Sequence, residues 1–393
     1  MKYRGFGRTG IEVSEIGMGL EHLLDKDEQT VIDTVRAAID GGVTYFDCHP
    51  GHDYDQRPDR GRYQGYQMLG KALAGLRDRV TISYIASCNE RGADIAPVCF
   101  EGYLRALGTD HTDVFIIQFC DKLKEYADIT GENGLLAYAQ RMRAEGKARY
   151  IGISTHSMDI AMRAIHSGAF DMLMFPVNPA FDVLSDEQEY NEDYIGNLWD
   201  RAYEYKADGN GRLPRKSVYS ACEQHGVALV AMKPFAGGFM FGADKDAGFT
   251  PVSLMGYALA QPGLSTVVPG CESPDQIRDI LRYYTCSDEE RDYSGAIAKS
   301  RWRVMGNCLY CNHCLPCPAG INIGQVNKLQ NSLEGGMPSD HPGVPEAYAA
   351  LPVKASACIR CGICEARCPF DVPVMEMMAK AERVFEGHTN SNH

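Results

Sequence analysis

Residues 149–177 read RYIGISTHSMDIAMRAIHSGAFDMLMFPV, and the period of the pattern changes twice along them. Arg149–Ile153 is a short run with apolar residues on both faces, as a fully buried parallel strand requires. Met158–Ser167 then carries its apolar residues at helical spacing, and Asp171–Val177 returns to a short apolar run. The same strand-then-helix alternation extends outward in both directions. Strand candidates at Glu15–Met18, Val43–Phe46, Val80–Ile85, Asp113–Gln118, Val227–Ala231 and Leu264–Val268 complete a set of eight. Amphipathic stretches at Asp27–Asp40, Tyr63–Leu76, Ile95–Leu107, Gly134–Glu145, Leu213–His225, Pro251–Ala260 and Pro274–Tyr284 supply the other helices. A hairpin, Lys2 to Val13, turning through Gly7-Arg8-Thr9-Gly10, precedes them. This order predicts an α/β fold, a (β/α)8 TIM barrel over residues 1–290, with its chemistry at the carboxyl ends of the strands.

One connection is too long for a barrel loop. Residues 178–212 form a rim insertion that carries Tyr190, Tyr194, Trp199, Tyr203 and Tyr205 amid many acids. A loop of that length is usually a lid or binding loop. The near-helical aromatic spacing equally suits a helix packed on the rim.

Beyond the barrel the chain turns to cysteine. It reads Cys308-x2-Cys311-x2-Cys314-x2-Cys317-Pro318 and then Cys358-x2-Cys361-x2-Cys364-x3-Cys368-Pro369. Thiolates three apart on a tight loop can wrap one face of an iron–sulfur cube, and the fourth ligand arrives from the other run. The spacing assigns Cys308, Cys311, Cys314 and Cys368 to one [4Fe–4S] cluster and Cys358, Cys361, Cys364 and Cys317 to a second. The first run departs by one residue from the bacterial ferredoxin spacing, so the crossover of Cys317 is the weaker half. Zinc sites pair two CxxC units instead of triplets, and disulfides would need an oxidising compartment. Paired clusters either carry electrons or staple a small domain that lacks a core. A small α-helical ferredoxin-like domain is expected over 291–386, with a disordered tail at 387–393.

The composition fits a soluble protein of 393 residues, 45% apolar and 23% charged, long enough for a large domain and a small one. Thirty-nine basic against 52 acidic residues leave a net charge of −13, which argues against nucleic acid or an anionic membrane surface as partner. The amino terminus lacks the apolar run of a signal peptide, and no apolar segment is long enough to span a bilayer. The expectation is a cytoplasmic protein in a reducing, anaerobic setting.

Several landmarks, taken in order, resemble the aldo/keto reductases. They are Phe6-Gly7-Arg8-Thr9-Gly10, Gly42-Val43-Thr44-Tyr45-Phe46-Asp47 and Leu69-Gly70-Lys71-Ala72-Leu73. Tyr150-Ile151-Gly152-Ile153-Ser154-Thr155-His156, Asn178 and Met232-Lys233-Pro234-Phe235-Ala236-Gly237-Gly238 follow. The cysteine-rich tail narrows the resemblance to members whose barrel continues into a ferredoxin-like domain. The resemblance implies hydride transfer between a nicotinamide cofactor and a carbonyl or alcohol, through a tetrad of Asp, Tyr, Lys and His. The Asp matches Asp47. Where the Tyr is expected stands His52, with Tyr54 the nearest phenol; the Lys position falls on Ile85 and the His position on Gln118. Without a neighbouring ammonium Tyr54 has no device to lower its pKa, and Asp47 lacks its counter-charge unless Lys122 or Lys233 reaches across the mouth. A histidine suits proton transfer near neutrality without much tuning, so His52, then Tyr54, then His49 are the candidate proton-transfer groups. Glu21, His22 and Asp121 are positioned to touch substrate.

For the cofactor, the resemblance places Ser154 and Asn178 at the nicotinamide carboxamide, Gly237 and Gly238 at the pyrophosphate and Gln276 at the adenine half. Glu272 and Asp275 open the last helix with no Lys or Arg at its start, so NAD(H) is expected over NADP if either binds. A barrel can also bind flavin without a sequence motif, so flavin stays open. Two functions follow. The first is an oxidoreductase acting on a small polar carbonyl, alcohol or enone-like substrate, its clusters exchanging electrons with the site or with an external carrier such as ferredoxin. The alternative is a non-redox lyase, dehydratase or isomerase, with acid–base chemistry at the mouth and structural clusters. The sequence leaves the oligomeric state undetermined.

Overall fold

The computed structural model describes residues 1–49, 63–87, 91–92, 94–179, 216–242, 247–293, 295–296, 308, 314–331, 344–368 and 372–387. The chain divides into two compact units, Met1–Pro234 with Thr250–Ile297, and Phe235–Phe249 with Ala298–His393.

In the first unit, strands β1 (Tyr3–Gly5) and β2 (Glu12–Ser14) form an antiparallel hairpin. Eight parallel strands follow: β3 (Met18–Gly19), β4 (Tyr45–Cys48), β5 (Thr81–Ala86), β6 (Thr112–Ile117), β7 (Ala148–Ser154), β8 (Met172–Pro176), β9 (Ala228–Met232) and β10 (Leu264–Val267). Each is bonded to its neighbours in chain order. Parallel bridges Ile16–Val267 and Gly19–Gly270 join the two ends of the sheet, so the expected barrel is present. The first strand ladder is shorter and later than the sequence suggests, because Glu15 and Gly17 bond instead to Val267 on the closing side.

Local chemistry sets the helices. α1 (Glu28–Asp40) starts at Asp27, whose carboxylate accepts from Thr30 N at 3.0 Å, and buries Val31, Val35, Ala38 and Ile39. α2 (Gln64–Ala72), α3 (Ile95–Leu107), α5 (Leu135–Ala144) and α6 (Met158–Ser167) occupy expected places. So do Lys216–His225, Pro251–Leu259 and Pro274–Leu281. An unforeseen helix after a barrel strand is α4 (Leu123–Thr130), after β6. The Glu125 carboxylate accepts from Asp121 N at 3.1 Å and Lys122 N at 3.2 Å, which fixes the start of that helix and the backbone of Asp121.

The barrel interior is filled, not hollow. Tyr45, Ile85, Val114, Ile116, Met172, Met174, Ala228 and Val230 pack together, and Phe6 from the hairpin joins them, its ring 5.6 Å from that of Tyr45. Phe6 reaches that depth because Gly7 (φ +56°) runs against β9, where a Cβ would lie 2.5 Å from Gly226 O and Ala228 N. With one end plugged, only the carboxyl ends of the strands can host a ligand. Among the described residues no helix is long and apolar enough to cross a membrane.

The second unit has a small core. Helices Ile323–Asn331 and Val374–Ala381 contribute buried Ile323, Val326, Val374, Met378 and Ala381, joined by Ile321. Tyr348 stacks on Phe385 at 4.2 Å, and its hydroxyl donates to Glu386 Oε1 at 2.6 Å. The Lys354 ammonium donates to the carbonyls of Tyr348, Ala349 and Leu351 at 2.6–2.8 Å.

Candidate functional site

The carboxyl end of β4 presents Asp47 and, two residues later, His49. Asp47 is buried, and Ser83 Oγ on β5 donates to its Oδ1 at 2.8 Å. Beside it stands Ile85, 2% exposed and part of the barrel core, where the resemblance expects a lysine. Burial pushes the Asp47 carboxyl up to about 7; the Ser83 hydrogen bond works against that rise and the Glu21 charge adds to it. A carboxyl poised there can hold or release a proton at neutral pH.

His49 behaves differently from the sequence expectation. Burial holds its pKa below the usual histidine value; Glu21 pulls upward, while His22 and Lys233 push down. The imidazole is therefore neutral at pH 7. Its Nε2 lies 2.9 Å from the Gln118 amide nitrogen, which donates to it and leaves the ring proton on Nδ1. Gln118, at the end of β6, thus orients His49 where the family would place its own histidine. His52 and Tyr54 lie outside the described residues, as does most of the rim insertion.

A second group of charges closes the other side of the mouth, and only part of it was legible in the sequence. Asp121 Oδ1 accepts from Thr155 Oγ1 at 2.8 Å and from His156 N at 2.6 Å, and His156 Nδ1 is 3.0 Å from Oδ2. Burial favours the neutral acid, but the charge and hydrogen bonds of His156, with the Thr155 hydroxyl, outweigh it and hold Asp121 below the usual carboxylate range. His156 Nε2 in turn lies 3.0 Å from Lys233 Nζ. Lys233 therefore bonds to His156, and no cation is among the groups that set the Asp47 pKa. Lys122 starts α4 and is exposed. The reach of either lysine to Asp47, admitted by the sequence, is not found.

Lys233 sits at φ +53°, a left-handed conformation that a side chain makes costly. The Asn178 amide pins it by donating to Lys233 O at 2.9 Å. Lys233→Gly is expected to raise the stability of the fold over Lys233→Ala by about 1 kcal/mol, read as the difference in urea midpoint. Equal stabilities would mean that the conformation carries no strain.

Of the other residues assigned to a nicotinamide, Ser154 is buried at the end of β7. Gly237 (φ +70°) and Gly238 (φ +86°) form a tight turn that belongs to the second unit. Gln276 is exposed and its side-chain oxygen accepts from Glu272 N at 2.7 Å. The start of that last helix is closer to neutral than the sequence suggests. Lys26 pairs with Glu272, and Arg278 Nη1 lies 2.6 Å from Asp275 Oδ1.

A model of the aldo/keto reductase family matches residues 15–251. The chain belongs to the aldo/keto reductase family. Aldo-keto reductase YhdN of Bacillus subtilis (strain 168) is 29% identical over 177 residues, which cover 40% of this chain and 48% of YhdN. The chain thus spans about half the length of that relative. Uncharacterized oxidoreductase YrpG of the same organism is 22% identical over 329 residues, covering 72% of this chain and 90% of YrpG. In structure, the holo form of aldo-keto reductase AKR11C1 from Bacillus halodurans superposes with a TM-score of 0.56 at 17% identity, over 77% of this chain and 97% of that one. This likeness is one of fold. Within the reductase barrel, the Asp121–His156–Lys233 chain was missed because its members come from three loops. The one available signal was that Tyr150–His156 and Met232–Gly238 are both family landmarks that end in an ionisable or flexible residue.

The second unit contains its own cavity. Cys317, Cys358, Cys361 and Cys364 line a space of about 330 Å³, its open mouth included, together with Pro318, Ile321, Ile323, Val374 and Met378. Among the described residues no three His, Cys, Asp or Glu side chains gather as they would around one metal ion. The loop between them holds Arg360 at φ +53° and Gly362 at φ +74°. Left-handed residues in such a loop turn successive backbone N–H groups inward, a concavity suited to an anionic cluster. These four cysteines could hold a [4Fe–4S] cube. Of the other set, Cys308 and Cys314 are buried and Cys368 is half-buried, whereas Cys311 lies outside the described residues.

Proposed function

We propose that this aldo/keto reductase is an iron–sulfur oxidoreductase that acts on a small polar carbonyl, alcohol or enone-like compound at the barrel mouth. What supports the reading is the cavity lined by Cys317, Cys358, Cys361 and Cys364, a cysteine of the first run beside three of the second, as a crossover of the fourth ligand would need. Cys308, Cys311, Cys314 and Cys368 would hold a second cluster in a ferredoxin-like domain. When bound, such clusters pass single electrons, to the site or to an external carrier such as ferredoxin.

At the mouth, Asp47 holds or gives up the proton that balances the substrate oxygen, since its carboxyl titrates near neutrality. His49, fixed by Gln118, presents a neutral ring beside it. His52 and Tyr54 remain candidates for the same proton. Ser154, Asn178 and Gln276 would contact a nicotinamide cofactor. Because Lys26 and Arg278 are paired with acids, a 2′-phosphate would compete there with Glu272 and Asp275, which favours NAD(H) over NADP.

Anaerobically prepared protein should bind NADH about tenfold or more tightly than NADPH and reduce members of a carbonyl panel with NADH or reduced ferredoxin. Absence of both binding and reduction sinks this reading. Turnover with no redox partner would select instead the lyase, dehydratase or isomerase chemistry that the same Asp47 could perform.

A further inference from the structure

The segment that carries Cys358, Cys361 and Cys364 turns a face to solvent that the chemistry above does not use. Ile359, Arg360 and Cys361 line the cavity and are exposed, so they form its rim. Of the described cysteines in the two runs, Cys361 alone is exposed. Ile359 is 65% exposed and Ile363, two residues past Cys361, is 38% exposed. Only four other large apolar side chains among the described residues are exposed, and here two flank one sulfur. Single exposed apolar residues are ordinary, but a pair around a sulfur of the donor set marks a contact face.

Charge indicates what that face would meet. Between Ala357 and Cys368 the charged residues are Arg360, Glu365 and Arg367. The Glu365 carboxylate is turned onto the backbone, where it accepts from Met375 N at 2.8 Å. Glu386 is engaged by the Tyr348 hydroxyl and Ser356 N. Residues 298–393 hold nine Lys or Arg against eight Asp or Glu, so the net charge of −13 arises outside them. We propose that Ile359, Arg360 and Ile363 form the docking face for a small acidic electron-carrier protein, seated against Cys361. The inference rests on the cluster reading of the cavity, to which it adds the chemistry of the partner and its landing place. A carrier seated there would touch a cluster ligand; it gives up one electron as the cluster gains one, and no bond forms or breaks. An apolar centre with a cationic rim suits a short-lived complex, since a small contact keeps it weak and opposite charge speeds the encounter.

The probe is an acidic two-[4Fe–4S] ferredoxin, titrated calorimetrically into oxygen-free, full-length protein whose iron content has been measured. Binding should weaken about tenfold or more between about 50 and about 500 mM salt. Arg360→Glu should cost about tenfold or more at the lower salt and little at the higher. Ile359→Ser should weaken binding several-fold at both. Lys124→Met, a change at the exposed partner of Asp128 on the barrel, should have no effect. The variants should keep wild-type iron and the same low-temperature EPR signal after dithionite, which separates lost docking from a lost fold. Should Arg360→Glu lose its iron, Ile359→Ser decides the matter. Iron-loaded wild type that fails to bind, or docking variants that bind equally well, would overturn the proposal and leave the clusters standing. Protein without iron would sink the cluster reading and this one with it. Self-association abolished by Ile359→Ser would give the face to a second copy of the chain and overturn the proposal likewise.

Discussion

Cys317→Ala is expected to lower the iron of oxygen-free protein from about eight to about four atoms per chain. The cavity around Cys317, Cys358, Cys361 and Cys364 makes the expectation sharper than a count. If the four serve one cluster, Cys317→Ala combined with Cys361→Ala costs no more iron than either change alone, because the second removes a ligand from a cluster already lost. Cys317→Ala combined with Cys308→Ala should instead strip both. The reverse pattern would put Cys317 with the first run and break the crossover. Loss of the clusters should also melt the unit itself. Ile321, Val326, Val374 and Met378 belong to the core seen among the described residues, and a small domain that holds its metal in the core can depend on it to fold. The helices Ile323–Asn331 and Val374–Ala381 should therefore become protease-sensitive in the doubly stripped variant.

Asp47→Asn should make the barrel more stable and the enzyme far less active, with both effects depending on pH. In the unfolded chain the Asp47 carboxyl ionises near its ordinary value of 3.8, but in the fold it does so only near 7. Below pH ~4 it is neutral in both states and the substitution changes little. Between these limits the unfolded chain releases the proton and the folded one keeps it, so wild type loses stability as pH rises, until the loss is complete above 7. The three-unit gap corresponds to at most about 4 kcal/mol, which the asparagine removes. Urea midpoints at pH 4.5, 6 and 8 read the effect directly. A difference between the two proteins that does not grow with pH would show that Asp47 is ionised throughout. Activity should drop by about a hundredfold or more if this carboxyl moves a proton.

The barrel was legible because its evidence is periodic. Eight short apolar runs and the helices between them need no knowledge of contacts, and Arg149–Ile153 and Met158–Ser167 correspond almost residue for residue to β7 and α6. Helix α4 was hidden because its eight residues, Leu123–Thr130, bury little beyond Ile129. The two cysteine runs were equally legible as spacing, and the fold brings Cys317 of the first to one cavity with Cys358, Cys361 and Cys364 of the second. The mouth was harder. Asp47 and Gln118 could be placed by position, but the proton affinity of Asp47 comes from burial against Ser83 and Ile85, a property of packing. The sequence offers His49 as a histidine with a pKa suited to neutral pH, and in the fold desolvation, with the charges of His22 and Lys233, lowers it. Asp121, His156 and Lys233 stand 35 and 77 residues apart along the chain, so no local pattern could join them.

Phe6, lodged among Tyr45, Val114 and Met172, makes the reaction chamber a blind alley. Whatever enters must leave by the doorway it used, and a dinucleotide laid over that doorway would bar the smaller molecule beneath it. Two occupants would then keep a compulsory order, the outer one arriving last and departing first, and the steady-state rate belongs to whichever is slowest to clear the threshold.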